Sequence, residues 1–240
     1  MNESVIHQES KYFKKLQEYL GEFVYGGIDG AVTTFAVVAG GFGADLDSGI
    51  IIILGFANLL ADGFSMSVGA YLSSKSNQEN YKKHEAIEYW EIENLPDVER
   101  QEIKEIYEAK GFEGELLEKV VDQITSNKDL WVAEMMKDEL NLMEESKSPF
   151  KIGLATFISF ILVGFIPLLV YLWTFFNPSS INTFFWTSIL TGIAFIIVGW
   201  LKSIVNQTSS IKSILETLAL GVLAAVVAYY VGDILEKFFT

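Results

Sequence analysis

Five stretches of this chain are long and apolar enough to cross a bilayer, and no other feature constrains its fold as strongly. They run over roughly 23–44, 48–72, 150–176, 181–203 and 211–235, and a helical span needs about 20 predominantly apolar residues. Inside hydrocarbon every backbone N–H and C=O must find its partner within the protein, which restricts spanning segments to helices and closed barrels. No two-residue β-period appears anywhere. The sequence therefore predicts an all-α integral membrane protein with five transmembrane helices. Two of the stretches contain a carboxylate, Asp29 in the first and Asp62 in the second. A charge at the bilayer centre costs roughly 2.5–3.5 kcal/mol or more, so such residues mark function.

The rest of the charge is unevenly placed. Residues 73–151 hold 20 acids against 11 lysines and arginines, most of the chain's net −14. This segment reads as a helical insert between the second and third spans. Its first helix continues the second span through Ser74 to Glu93. Pro96 and Gly111 then frame a helix over about 97–110, because proline suits a first helical turn and glycine a helix end. Two more helices follow near 113–125 and 128–145. Ahead of the first span, Tyr12, Phe13, Leu16, Leu20 and Phe23 recur at helical spacing opposite Lys11, Lys14, Lys15, Glu18 and Glu22. That pattern predicts an amphipathic helix lying at the membrane interface. The expected organisation is an interfacial helix over 1–22, two spans over 23–73, an acidic three-helix domain over 74–148, and three spans over 149–240.

Lysines set the orientation. Lys11, Lys14 and Lys15 precede the first span, Lys75, Lys82 and Lys83 follow the second, and Lys202 and Lys212 flank the last connection. The loop 43–48 and the turn 177–180 carry none. The N-terminus and the insert are thus expected in the cytoplasm and the C-terminus outside. Met1–Lys11 is polar and acidic without the apolar core of a secretory signal, so the first span is expected to act as its own insertion signal. The absence of cysteine removes disulfide frameworks and thiolate metal sites. Strong acidity argues against nucleic acid, whose recognition calls for basic patches.

On the second span Gly55, Asn58, Asp62, Met66 and Gly69 step by three or four residues and share one face. On the first, Gly26, Gly30, Thr33 and Val37 form a stripe with Asp29 beside it, and the glycines are positioned to loosen the helix and free carbonyls for an ion. Carboxylate and carbonyl oxygens suit Mg²⁺, Ca²⁺ or Mn²⁺, and a thioether shifts preference to a softer ion. With no cysteine or intramembrane histidine, Fe²⁺ fits best, followed by Mn²⁺, Co²⁺ and Zn²⁺. A carboxylate that is desolvated also takes a proton when the metal leaves, which gives a route to metal/proton exchange. In the insert, Glu85, Glu88, Glu91, Glu99, Glu102 and Glu105 recur every three residues on two helices split by Pro96. Like charges at that spacing repel unless solvent or a cation neutralises them. Met135 and Glu139 stand one turn apart on a later helix.

Several of these stretches resemble the vacuolar iron transporter family. The resemblance rests on Val24-Tyr25-Gly26-Gly27-Ile28-Asp29-Gly30-Ala31-Val32-Thr33-Thr34-Phe35, Ala57-Asn58-Leu59-Leu60-Ala61-Asp62-Gly63-Phe64-Ser65-Met66 and Gly69-Ala70-Tyr71-Leu72. The Glu-rich insert and Gly164-Phe165-Ile166-Pro167-Leu168 extend it over nearly the whole chain. The resemblance implies a five-span homodimer that exports Fe²⁺ and similar divalent ions from the cytosol in exchange for protons, along a path between the protomers. It places the family's intramembrane Asp on Asp29 and its Met on Met66, whereas a family Glu falls on Asn58, where this chain departs and Asp62 stands one turn on. It places the cytoplasmic metal ligands on Glu18, Glu88, Glu91, Glu99, Glu102, Met135 and Glu139. Divalent metal is then substrate, and no prosthetic group is implied.

Two other readings compete. One is a membrane-anchored divalent-metal sensor or scaffold whose insert binds ions without transport. The other, an intramembrane aspartyl protease, expects a Tyr-Asp pair ahead of a second motif, and Tyr25 is followed by Gly26. A lysine-, isoleucine- and phenylalanine-rich composition with the single arginine Arg100 points to an AT-rich genome, and the plain N-terminus fits a prokaryotic plasma membrane, with an organellar or vacuolar membrane as the alternative.

Overall fold

The computed structural model describes residues 18–178 and 180–239. Nine α-helices and one π-helical turn account for nearly all of them, and no strand occurs among the described residues. They are α1 (Leu20–Gly43), α2 (Ser48–Asn94), α3 (Pro96–Ala109), α4 (Gly114–Thr125), α5 (Lys128–Glu134), the π-turn (Met135–Glu139), α6 (Pro149–Gly164), α7 (Ile166–Phe176), α8 (Thr183–Asn206) and α9 (Ser210–Phe239). The chain divides into two compact units, one of residues 1–72 with 147–240 and the other of residues 73–146. The predicted interfacial helix lies, up to Gln17, outside the described residues.

In the first unit, α1, α2, α8 and α9 are each long and apolar enough to cross a membrane, and α6 with α7 makes a fifth candidate if the two form one span. The stretch 150–176, expected as one helix, is bent by 44° between them. Pro167, just past the bend, permits it: it has no N–H and its ring crowds the carbonyl four residues back. The backbone closes instead through Phe165 N–H to Ile161 O and Leu168 N–H to Phe165 O, both at 3.0 Å.

Among α1, α2, α8 and α9, helix α1 is the most enclosed, with Val24, Ala31, Thr34, Val38 and Ala39 fully buried. Two seams fix it. Gly30 lies against the Phe160 backbone, and a Cβ on Gly164 would stand 2.7 Å from the Gly30 carbonyl oxygen. Gly43 and Gly232 bring α1 and α9 equally close, against Tyr229 O and Gly40 O respectively. Small residues at such seams let helix backbones approach, which drives association where lipid removes the hydrophobic incentive. The glycines of α1 therefore serve packing. The expected loosening does not occur, and α1 runs unbroken from Leu20 to Gly43.

Contacts between helix ends give the order in space. At the start of α1, Glu22 pairs with Lys147 at 2.9 Å, Tyr19 accepts from Ser148 N–H at 3.2 Å, and Tyr25 meets Asn206 at the end of α8. Lys202 near that end pairs with Glu216 early in α9 at 3.0 Å, and Ser67 of α2 donates to Gly153 O of α6 at 2.8 Å. At the other end of α1, Phe42 stacks on Phe184 at the start of α8, with ring centroids 4.2 Å apart.

Helix α2 continues for 47 residues and ends before Pro96, well beyond a membrane's needs. Its charged second half belongs to the unit of residues 73–146. That unit encloses its own core of Ile92, Ile103, Leu117, Val121, Ile124, Trp131, Val132, Met135 and Met136. The helix expected over 128–145 is shorter. It widens into the π-turn and stops at Asn141, which takes a left-handed φ of 53°. Leu140 N–H reaches back to Met135 O and Leu142 N–H to Met136 O, closing carbonyls five and six residues behind.

Candidate functional site

The membrane unit holds a groove of about 800 Å³ lined by Tyr25, Ile28, Asp29, Val32, Met66 and residues of α9 from Leu220 to Val231. Asp29 and Met66 are 37 positions apart in sequence, yet they line one cavity. The helical stripe explains half of this and the packing of α1 the rest. With its glycines turned to α6, α1 presents Asp29 and Val32 to the groove. An oxygen and a sulfur donor in a largely apolar cleft is a set for a divalent transition ion of borderline softness.

Asn58 and Asp62 are partly buried and do not line the groove. The Asn58 amide nitrogen is buried without a partner. The Thr33 hydroxyl donates to Asp29 O at 2.9 Å, the usual tie back to the preceding turn.

In the other unit, α2, α3 and the π-turn bring together Glu88, Glu91, Glu99, Glu102 and Glu139. Glu88 and Glu99 are buried, at 3% and 4% exposure, and each keeps one carboxylate oxygen with no hydrogen-bond partner. Burial, followed by the charges of Glu139, Glu91 and Glu102, pushes the Glu88 carboxyl up to about 7. Burial and then Glu102, Glu88, Glu91 and Glu139 push Glu99 up to about 7 as well. Glu102 also rises, through burial and then Glu91 and Glu105, and Glu139, exposed overall, rises through partial desolvation of its carboxyl and then Glu102 and Glu91. Every charge acting on these four groups is another carboxylate. A cluster of this kind is held together against its own repulsion, and protons or cations relieve it.

Among the described residues, however, no three His, Asp or Glu side chains stand at metal-ligand spacing. Met135 is fully buried in the unit's apolar core, and the π-turn that contains it leaves Glu139 at the surface. Glu18 belongs to the membrane unit. The turn is braced by groups the sequence reading did not single out. Tyr107 donates to Glu134 at 3.0 Å, Lys110 pairs with Asp138 at 2.5 Å, and the Lys110 ammonium lies 4.3 Å from the Tyr107 ring centre. No local pattern announces the Tyr107–Glu134 and Lys110–Asp138 pairs, because they join residues 27 and 28 positions apart.

Spanning helices around a carboxylate–thioether groove, with a carboxylate-rich unit in the same chain, fit a multi-pass membrane protein that handles metal ions. The model of the VIT family matches residues 20–233. The chain is 34% identical over 226 residues to a vacuolar iron transporter of Toxoplasma gondii, covering 91% of this chain and 75% of that protein. It is 30% identical to vacuolar iron transporter 1 of Tulipa gesneriana (95% and 92% covered) and 29% identical to vacuolar iron transporter 1 of Arabidopsis thaliana (96% and 91%). The chain belongs to the VIT family, whose members are transporters and not enzymes.

Proposed function

We propose that this protein exports Fe²⁺, and with it Mn²⁺ and similar divalent transition ions, from the cytosol by exchange for protons. The observation that carries the reading is the meeting of Asp29 and Met66 in one groove. Asp29 supplies charge to a dehydrated cation and Met66 biases the site toward softer ions. Asp62 contributes field from outside the groove, offsetting the neutral Asn58. Glu88, Glu91, Glu99, Glu102 and Glu139, with Glu18 and Met135, capture the ion on the cytosolic side. The iron in the relatives' names supports the choice of cargo.

Five crossings agree with the helix ends. The starts of α1, α6 and α9 and the end of α8 fall together, whereas Phe42 at the end of α1 meets the start of α8. That arrangement supports α6 and α7 crossing once as a bent pair. The flanking lysines then put the N-terminus and the acidic unit in the cytosol. A homodimer closing the open side of each groove completes the path. The plain N-terminus and a composition suggestive of an AT-rich genome support a prokaryotic plasma membrane, and membrane fractionation of the native cells tests that placement.

Purified protein in liposomes, assayed for Fe²⁺ flux with and without a pH gradient, tests the function. Flux that the gradient accelerates and Asp29→Ala abolishes is the expected result. An inert wild type, or a fully active Asp29→Ala variant, refutes it.

A further inference from the structure

Tyr25 lines the same groove one helical turn before Asp29, at the end nearest the start of α1, and its ring is half exposed. Its hydroxyl is not free. The Asn206 amide donates to it at 2.9 Å, with a second, longer contact of 3.4 Å to the amide oxygen. Asn206 is the last residue of α8, and the turn that follows is tied down by several contacts. Gln207 takes a left-handed φ of 50°, Thr208 N–H closes on Ser203 O at 3.1 Å, and the hydroxyl pairs Ser203–Ser210 and Thr208–Ser213 meet at 2.9 Å. Lys202 and Glu216 add an ion pair across the same junction. A flexible side chain on α1 is thus hooked to a rigid point on another helix.

We propose that Tyr25 is the gate residue of the groove and Asn206 the positioning residue that sets how far its ring stands across the groove end. An ion or small cation entering from that end passes the phenol before it reaches Val32, about 10 Å deeper along α1. The hydrogen bond holds the ring in one rotamer, and its loss frees the ring to swing aside. The proposal rests on the groove being a route. It adds that access to the route is limited by one tyrosine and governed from α8.

The chain contains no cysteine, so an introduced thiol reports alone. In full-length protein in liposomes, Val32→Cys is labelled with a cationic methanethiosulfonate, alone and combined with Tyr25→Phe, Asn206→Ala or both. Tyr25→Phe keeps the ring and removes only the hydroxyl. Each change is expected to speed labelling about fivefold, the equivalent of ~1 kcal/mol for one hydrogen bond. The double change should do no more than either single one, because both break the same bond. Ser188→Cys, in a separate apolar recess beside Phe35 and Phe195, should label at an unchanged rate. Equal rates at Val32→Cys in all backgrounds, multiplying effects in the double variant, or a parallel rise at Ser188→Cys overturns the gate. Fe²⁺ flux measured alongside separates the two readings. Absent wild-type flux with the labelling contrast intact removes the cargo and keeps the gate, whereas intact flux with flat labelling removes the gate.

Discussion

Replacing Glu88 or Glu99 by glutamine should stabilise the protein in alkaline solution and leave it unchanged in acid. Both carboxyls sit near 7 in the folded chain against an ordinary 4.5. Below 4.5 each is protonated whether the chain is folded or not, and folding gains the full benefit of the neutral form. As pH rises from 4.5 to 7 the unfolded chain gives up its protons while the folded one must retain them or accept buried charge, so stability is lost across that window. For a group wholly removed from water the rise corresponds to about 3 kcal/mol. Partial solvent access to the cluster reduces this to about 1–2 kcal/mol per glutamate. Thermal unfolding of the full chain in detergent, followed by the fluorescence of its tryptophans, which include the buried Trp131, reads the effect at pH 5 and pH 8 without metal. The wild type should unfold at a lower temperature at pH 8, and Glu88→Gln and Glu99→Gln should each recover part of the loss with no gain at pH 5. Equal wild-type transitions at both pH values would refute the reasoning. So would glutamine variants that fall with pH as steeply as the wild type.

Adding Mn²⁺ to weakly buffered protein near pH 6.5 should release protons, seen with a pH indicator, and Glu88→Gln with Glu99→Gln should suppress the release. Met66→Leu keeps the groove's volume and removes its soft donor; competition assays should show Fe²⁺ losing ground to Mn²⁺ with total flux preserved. Gly30→Ala drives a Cβ to 2.9 Å from the Phe160 Cα as well as onto its carbonyl oxygen. Overpacking of this kind costs about 1–3 kcal/mol, which a lower yield of monodisperse protein and an earlier thermal transition should reveal. Tyr107→Phe removes the bond to Glu134 beside the π-turn and should cost about 1 kcal/mol, read by hydrogen exchange in the peptide covering residues 128–142.

The parts of this protein governed by local physics are legible in its sequence. Apolar length defines α1, α2, α8 and α9, because a membrane span is a property of some 20 consecutive residues. The run of α2 past Ser74 and its end before Pro96 are equally local, as is the left-handed Gly111 after α3. Asp29 and Met66 stand out because polar and soft donors are costly or unusual in hydrocarbon.

What the sequence leaves open depends on neighbours far along the chain. Pro167 is visible, but proline is tolerated in spanning helices, and only packing decides between a kink and the 44° break found here. The glycines of α1 read alike as hinges or as seams, and the Phe160 and Tyr229 backbones make them seams. Asn58, Asp62 and Met66 share a helical face by spacing, yet Met66 alone of the three lines the groove with Asp29. Glu88 and Glu99 look like any acids on an exposed helix until the unit of residues 73–146 folds around its core and buries both. Periodicity fixes which side chains share a face of a helix. Only the tertiary structure decides what that face meets, because burial and electrostatic coupling belong to pairs of surfaces.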